Sequence, residues 1–176
     1  MTVFDPDISR YYQTTAEESR LEQGASLLEA LRTRELIERH LPPPPAEVFD
    51  IGGGAGAYAL WLATKGYQVR LLDASPRLVN EARRRSDAST HPLMSCHTGD
   101  ARATNLAPDS ADAVLLLGPL YHLTVAADRD RALREALRLL KPGGCLFAAA
   151  ISRWASALDG LARDLFEDPA FTAIAE

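Results

Sequence analysis

The glycine-rich loop between Asp50 and Gly56 constrains the fold of this chain more than any other feature of the sequence. A short apolar run, residues 47–51, leads into the loop, and residues 58–65 after it have helical character. Glycines at this point permit a tight turn and a close approach of a ligand to the backbone. The sequence therefore predicts a strand, a nucleotide-type binding loop and a helix in succession.

The same alternation of strands and helices continues along the chain. Apolar runs predict further strands at residues 68–73, 93–97, 113–117 and 145–151, and helical patterns occupy residues 77–85 and 128–140. Near-continuous apolar strands are typical of a parallel sheet that is covered by helices on both faces. The sequence thus predicts a doubly wound α/β fold with a mostly parallel sheet, in which ligands bind at the carboxyl ends of the strands.

Segments of different character flank this predicted core. Residues 1–41 are expected to form an N-terminal helical cap or lid, and its helix carries apolar residues at helix-like spacing, namely Leu27, Leu28, Leu31, Leu36 and Ile37. The proline run 42–45 cannot continue a helix and separates the cap from the core, residues 46–152. Residues 153–176 are expected to form a C-terminal helix and tail.

Composition narrows the classes of partner and compartment. The net charge of -5 leaves no broad basic face that could neutralise a phosphate backbone, so a nucleic-acid partner is not expected. No apolar run has the length needed to span a membrane, and residues 1–5 do not resemble a signal segment. Cys96 and Cys145 form neither a CxxC pair nor a disulfide framework. A cytoplasmic protein without a membrane partner is the expectation.

The glycine loop alone leaves two kinds of cofactor open. Gly52, Gly54 and Ala57 satisfy the dinucleotide fingerprint, and Asp73 lies at a suitable distance along the chain for an acid that binds a ribose. A nicotinamide-dependent oxidoreductase is therefore one alternative. Asp50 opposes it, because a carboxylate at the end of the first strand disfavours a nearby pyrophosphate and favours a cationic ligand.

The loop resembles the first motif of class I S-adenosylmethionine-dependent methyltransferases, an acid followed by three alternately spaced glycines. The matching residues are Asp50, Gly52, Gly54 and Gly56. The resemblance, which covers roughly residues 10–152, implies S-adenosylmethionine as cofactor and a Rossmann-like sheet of strand order 3-2-1-4-5. It also implies that the loop holds the methionine portion and that Asp73, with Ala74 next to it, binds the ribose hydroxyls.

Three later stretches are similar to the same family. They are Gly99 to Ala101, Ala113 to Gly118 and Leu139 to Gly144. The resemblance implies that Asp100 accepts a hydrogen bond from the adenine amino group, with Ala101 beside it. It also implies that Gly118 lies under the methionine portion. The stretch 142–144 is interpreted as a structural helix stop.

Aromatic residues and histidines complete the predicted site. Tyr11 and Tyr12 precede the N-terminal helix, and the resemblance implies that an aromatic there closes over the cofactor. Tyr121 and His122 follow the turn at Gly118, where the family places its substrate, and His122 is the candidate general base. The remaining histidines lack ligand spacing, and no metal site is predicted.

These features predict a methyltransferase that acts on a small-molecule acceptor. A cofactor-binding but inactive subunit or fragment is the alternative from another class, because the family's sheet continues with two strands that this sequence lacks after Ile151. The fifth strand would then form an apolar edge of the sheet. The expected consequences are self-association through this edge or the C-terminal helix, coverage by the tail, or a longer parent protein.

Overall fold

A computed structural model describes residues 24–169 and 171, and a parallel sheet forms its centre. Five strands belong to the described part of this sheet: β1 Glu47–Ile51, β2 Gln68–Asp73, β3 Ser95–Thr98, β4 Ala111–Leu116 and β5 Leu140–Ala148. Every neighbouring pair is parallel, and the order is β3-β2-β1-β4-β5. The predicted fold class and strand order are confirmed.

Helices cover both faces of the sheet. They are α1 Gly24–His40, α2 Ala57–Thr64, α3 Pro76–Asp87, α4 Pro119–His122, α5 Ala126–Leu139 and α6 Ala155–Ala162, and a 3-10 turn follows at Leu165–Glu167. Successive side chains of a strand point to opposite faces. Val48 accordingly belongs to the core that contains Leu62 of α2 and Val79 of α3, whereas Phe49 belongs to the core that contains Leu139 of α5.

The register of the central strands brings the predicted motifs together. Ile51, the last residue of β1, pairs with Leu72, so the glycine loop emerges beside the end of β2. Asp50 pairs with Leu71 on one side and with Leu115 of β4 on the other. The loops after β1, β2 and β4 therefore meet at the carboxyl ends of these strands.

Strand β5 begins and ends earlier than the predicted segment 145–151. It starts at Leu140, which pairs with Ala111, and the pairing shifts so that Cys145 is opposite Ala113. The intervening residues form an irregularity in the strand, because Pro142 has no backbone N–H and Gly143 adopts a φ of 83°. The segment thus interrupts a strand, where the sequence predicted a helix stop.

Helix α1 buries Ile37, but not the leucines that share its helical spacing. Leu27, Leu28 and Leu31 are exposed, with relative accessibilities of 45%, 72% and 54%, whereas Ala30 and Ile37 are buried. The leucine spacing is helical, and the segment Gly24–His40 is a helix. The small Ala30 lies at the contact, which periodicity among large residues could not indicate.

The described tail leaves much of its apolar surface exposed. Within the described residues, β5 pairs with β4 alone and lies at the edge of the sheet. Trp154, Leu158 and Leu161 remain 59%, 62% and 70% exposed, and Phe171 packs closely on Gly160 of α6. The tail thus packs closely on itself at Gly160 and exposes apolar side chains elsewhere. In the described part of the chain, no helix is both long and apolar enough to cross a bilayer.

Candidate functional site

The glycine loop between β1 and α2 requires glycine for conformational reasons. Gly52, Gly54 and Gly56 have φ angles of 77°, 57° and 85°, a region that residues with side chains rarely adopt. The Gly52 N–H donates to the Leu72 carbonyl at 2.7 Å, which holds the start of the loop against β2. Gly56 then precedes the first residue of α2. The loop is therefore shaped by three left-handed positions.

Asp73 at the end of β2 binds the loop from the side. Its Oδ2 accepts from the Gly54 N–H and its Oδ1 accepts from the Ser75 N–H, both at 2.8 Å. Burial raises the pKa of Asp73, and the two backbone hydrogen bonds offset part of this rise. A carboxylate has about four acceptor positions, so each oxygen retains capacity for a ligand hydroxyl.

Asp50 lies beneath the loop in the interior of the protein. It is 2% exposed, and in the described structure its Oδ2 has no hydrogen-bond partner. Burial, followed by the negative charge of Asp73, raises the pKa of Asp50 to about 7, although a hydrogen bond from the Ala59 amide lowers it in part. A Cβ at Gly53 would lie 2.6 Å from Oδ2. Gly53, which the motif did not single out, is therefore needed to pack the loop on this carboxyl group.

A cavity of about 290 Å³ opens at the carboxyl ends of β1, β2, β3 and β4. The predicted site residues that line it are Gly52, Asp73, Ala74, Asp100, Ala101, Gly118 and His122. The predicted residues Asp50, Gly54, Gly56 and Tyr121 support the surroundings and are not among the lining residues. Tyr11 and Tyr12 lie outside the described residues. Most of the predicted site thus converges on one cavity.

Three glycines allow the walls of this cavity to approach closely. A Cβ on Gly52 would lie 2.6 Å from Cδ and Cγ of Pro119, and one on Gly118 would lie 3.2 Å from the Gly52 carbonyl oxygen. A Cβ on Gly99 would lie 2.7 Å from Cδ1 of Leu72. Side chains at these positions would therefore clash with the opposite wall or alter the shape of the cavity.

Asp100 after β3 is held by Arg102, a residue that the sequence analysis did not consider. The guanidinium of Arg102 donates to both Asp100 oxygens at 2.7 to 3.0 Å, and its Nη1 donates to Asp128 of α5 at 2.5 Å. Burial raises the pKa of Asp100, but the Arg102 hydrogen bonds outweigh burial and the net pKa is lowered. Arg102 and Asp128 both line the cavity. Because Asp128 is 26 residues away from Arg102 in the chain, local spacing offered no signal for this pair.

His122 is the imidazole that faces the cavity in the described structure. It ends the short helix α4, which starts at Pro119 directly after Gly118. The Tyr121 ring lies beside it, with ring centroids 4.6 Å apart and an interplanar angle of 58°. The turn after β4 thus places His122 at the cavity and Tyr121 against it. Among the described residues, no group of three or more His, Cys, Asp and Glu side chains could hold a metal ion.

Comparison with known proteins assigns the family. The family profile described as "Methyltransferase domain" matches residues 49–148. The chain is 32% identical over 143 residues to the ubiquinone/menaquinone biosynthesis C-methyltransferase UbiE of Acidiphilium cryptum, covering 80% of this chain and 55% of that protein. It is 34% identical over 125 residues to the ubiquinone biosynthesis O-methyltransferase of Xanthomonas axonopodis pv. citri, covering 68% and 48%.

A solved structure agrees with these relatives. The S-adenosylmethionine-dependent methyltransferase of Methanosarcina mazei superimposes with a TM-score of 0.63 at 25% identity, covering 70% of this chain and 60% of that one. The chain spans about half the length of the curated relatives that it matches. Nothing in these matches supports the oxidoreductase alternative. Because the matched profile extends from within the first strand to the end of the fifth, the chain belongs to the class I S-adenosylmethionine-dependent methyltransferase family.

Proposed function

We propose that this chain is the cofactor-binding core of a methyltransferase that uses S-adenosylmethionine and acts on a small-molecule acceptor. The observation that carries the proposal is the convergence of Gly52, Asp73, Asp100 and Gly118 on one cavity at the carboxyl ends of the strands. The resemblance to the family implies that these positions bind the cofactor. In this proposal, residues 46–152 form the cofactor-binding unit, and residues 1–41 and 153–176 are accessory to it.

The residues at the cavity fit the chemistry of this cofactor. The two oxygens of Asp73 are bound by backbone amides and keep acceptor capacity for a pair of vicinal hydroxyls. Gly52 and Gly118 both line the cavity without side chains, so the backbone of the two loops is accessible to a ligand there. Ala74 and Ala101 add small apolar walls suited to a flat base. The arrangement thus offers separate surfaces for each part of the cofactor.

S-adenosylmethionine, when bound, supplies a methyl group that its sulfonium already activates for transfer. The protein then has to orient the acceptor and exclude water. Pro119 packs over Gly52 and narrows the cavity beside the glycine loop. His122 also lines the cavity, at the other end of the short helix α4 that begins at Pro119. If the acceptor loses a proton, His122 takes it at an unprotonated ring nitrogen, with Tyr121 restricting the orientation of the imidazole.

The relatives support a small molecule as acceptor. By their names, one relative is a C-methyltransferase and another an O-methyltransferase of ubiquinone biosynthesis. Because these names include both carbon and oxygen acceptors, the acceptor atom of this chain has to be found by experiment. An inactive cofactor-binding subunit is the second candidate function, because a cavity that fits the cofactor does not by itself require methyl transfer.

Cofactor binding is tested by calorimetry with S-adenosylhomocysteine. The wild-type chain should bind, and Asp73→Ala should weaken binding by about 1.5 to 3 kcal/mol, the value of a hydrogen bond to a charged group. The matched control is Asp112→Ala, which removes an acid from the opposite end of the sheet and should bind as the wild type does. Absence of heat from the wild type would contradict the proposal. Equal affinities of wild type and Asp73→Ala would contradict only the role of Asp73.

Methyl transfer itself and the competing cofactor need two further measurements. Thermal shift with S-adenosylhomocysteine and with NAD should raise the Tm only for the former. Transfer of labelled methyl to candidate phenols and quinones distinguishes an active enzyme from an inactive subunit.

Self-association, a cytoplasmic location and the lack of a nucleic-acid partner stay predictions. The outer edge of β5 and the exposed Trp154, Leu158 and Leu161 support association, because such surfaces are rarely left open on monomers. Light scattering of the purified chain should show more than a monomer. A monomer at all concentrations would contradict this part of the proposal.

A further inference from the structure

Two polar ties join the loop between β3 and β4 to helix α5. In the first, Arg102 donates to Asp128 at 2.5 Å. In the second, the N–H and the hydroxyl of Thr104 donate to Glu135 at 2.8 and 2.6 Å. Asp128 and Glu135 are about two turns apart on α5, so both ties lie on one side of the helix. Only the first tie lines the cavity.

The first tie is a chain of charges that is largely withdrawn from solvent. The side chains of Asp100, Arg102 and Asp128 are 19%, 17% and 18% exposed. Arg102 uses its planar fork on both oxygens of Asp100 and keeps Nη1 for Asp128, while Asp128 also accepts from Arg131. The orientation of Asp100 is thus set by Arg102, and the orientation of Arg102 is set by Asp128.

Asp128 lines the same cavity as Asp100, and Arg102 connects the two acids. Asp128 lies in the first turn of α5, and the segment 123–125 just before that helix also lines the cavity. Arg129 donates to the carbonyl oxygens of Leu123 and Thr124 at 2.7 and 2.8 Å, so this segment moves with the start of α5. Arg102 therefore connects two parts of the cavity lining, namely Asp100 with Ala101 and the segment 123–125 with the start of α5.

We propose that Arg102 and Asp128 are positioning residues, which hold the two walls at the adenine end of the cavity at a set separation and so determine the affinity for adenosyl ligands. The inference rests on the proposed cofactor function and adds two residues to its site. Neither residue has to touch the ligand: Arg102 acts through Asp100, and Asp128 acts through Arg102 and the segment that precedes α5. The tie between Thr104 and Glu135 joins the same two elements outside the cavity, and it stabilises the fold without this role.

The test compares the two ties in the same chain. Calorimetry with S-adenosylhomocysteine and thermal unfolding are measured for Arg102→Gln, Asp128→Asn and Glu135→Gln. We expect Kd to rise about tenfold or more in Arg102→Gln, because the largely buried Asp100 carboxylate then loses its guanidinium partner. We expect a rise of about threefold to tenfold in Asp128→Asn, because Arg102 keeps its contact with Asp100 but loses the charge that connects it to α5. Glu135→Gln should lower Tm and keep Kd within about twofold of the wild type. Asp130→Asn, which breaks an exposed ion pair on the same helix, should change neither.

Two further variants separate positioning from general destabilisation. Arg102→Lys keeps the charge and loses the fork, so it should recover part of the affinity that Arg102→Gln loses. The double variant Arg102→Gln, Asp128→Asn should bind about as weakly as Arg102→Gln alone, because the two residues act as one unit.

The outcomes distinguish this inference from the function on which it rests. If the wild type does not bind S-adenosylhomocysteine, the proposed function is wrong. If the wild type binds and Arg102→Gln or Asp128→Asn binds equally well, the inference is wrong while the proposed function stands. Equal loss of affinity in Asp128→Asn and Glu135→Gln would also overturn it, because both ties would then act only through the fold. If Arg102→Gln fails to fold, Asp128→Asn decides alone.

Discussion

The two ends of the sheet carry acidic residues in very different surroundings. At the amino-terminal ends of the strands, Glu47 pairs with Arg70 at 2.6 Å and Asp112 pairs with Lys141 at 2.8 Å, and these side chains are partly exposed. At the carboxyl-terminal ends, Asp73 is bound by backbone amides and Asp50 is buried with one unpartnered oxygen in the described structure. Glu47 and Asp112 at the amino-terminal end thus have cationic partners, whereas Asp50 at the carboxyl-terminal end has an oxygen without a hydrogen bond in the described structure.

This difference supports the proposal that a ligand binds at the carboxyl-terminal ends of the strands. The Lys141 hydrogen bond, followed by a hydrogen bond from the Glu47 amide, lowers the pKa of Asp112, whereas burial raises the pKa of both Asp50 and Asp73. A paired acid at the surface has little left to offer a ligand, while a buried acid without a cation is costly unless a ligand or a proton compensates it. Acids of the second kind cluster at functional sites.

The largest effect that tests this comparison is expected for Gly52→Ala. The new Cβ would meet Pro119 at 2.6 Å at a residue with a φ of 77°, so both the loop and the cavity must change shape. Cofactor affinity should fall more than about 100-fold, and stability should fall by about 1 to 3 kcal/mol from backbone strain. Calorimetry and urea unfolding measure the two effects.

Gly143→Ala is the matched control at the opposite end of the sheet. Gly143 has a similar φ of 83°, but no atom lies within 4 Å of its ideal Cβ position. The Gly143→Ala variant should therefore lose stability through backbone strain alone and bind the cofactor as the wild type does. Equal binding by both variants would show that the contact between Gly52 and Pro119 does not shape the site.

A smaller effect is expected in the pH dependence of stability through Asp50. Its pKa of about 7 in the folded protein exceeds the ordinary value of 3.8, so the folded state binds the proton more tightly. The resulting stabilisation is fully present below the ordinary value and is lost as the pH rises through about 7. Between pH 5 and pH 8 the loss amounts to about 2 to 3 kcal/mol.

Asp50→Asn should remove this part of the pH dependence. Between pH 5 and pH 8 the free energy of unfolding, measured with urea, should decrease less for the variant than for the wild type, because all other titrating groups are common to both. Asp112→Asn is the control, and it should keep the wild-type decrease, because the pKa of Asp112 is lowered out of this range. If the free energy of unfolding of Asp50→Asn decreases as much as that of the wild type, Asp50 is not the group that causes the decrease.

The smallest effect is expected for Asp112→Ala at the amino-terminal end. The variant loses the ion pair with Lys141 and a hydrogen bond from the Glu47 amide, both at partly exposed positions. Stability should fall by about 1 kcal/mol, and the Kd for S-adenosylhomocysteine should not change. A loss of affinity similar to that of Asp73→Ala would show that the two ends of the sheet are not functionally distinct.

Features encoded by neighbouring residues could be predicted from the sequence. The alternation of apolar runs and helical segments indicated the parallel sheet. The glycines after Asp50 indicated the loop, and the acid at the end of the next apolar run indicated Asp73. Features that join distant segments could not be predicted in this way. Arg102 and Asp128 each have the appearance of an ordinary surface charge, and only the packing of α5 against the loop after β3 reveals their contact.

Packing also decided which apolar residues are buried. The leucines of α1 have a clear helical spacing and are largely exposed, while the small Ala30 is buried. The run from Pro142 to Gly144 contains strong helix-breaking residues, yet it lies within β5 because the pairing with β4 resumes at Cys145. Local propensity therefore predicted the type of element better than its partners or its ends.

By itself, the sequence determined the order of strands and helices, the tight glycine turn and the acid that ends β2, because backbone sterics and hydrophobic periodicity act over a few residues. The tertiary structure alone decided that Asp50 lies beneath the loop, that Gly53 must pack on it, and that Arg102 links two walls of the cavity. These properties depend on burial and on charges from segments far apart in the chain, and neither exists until the helices pack on the sheet.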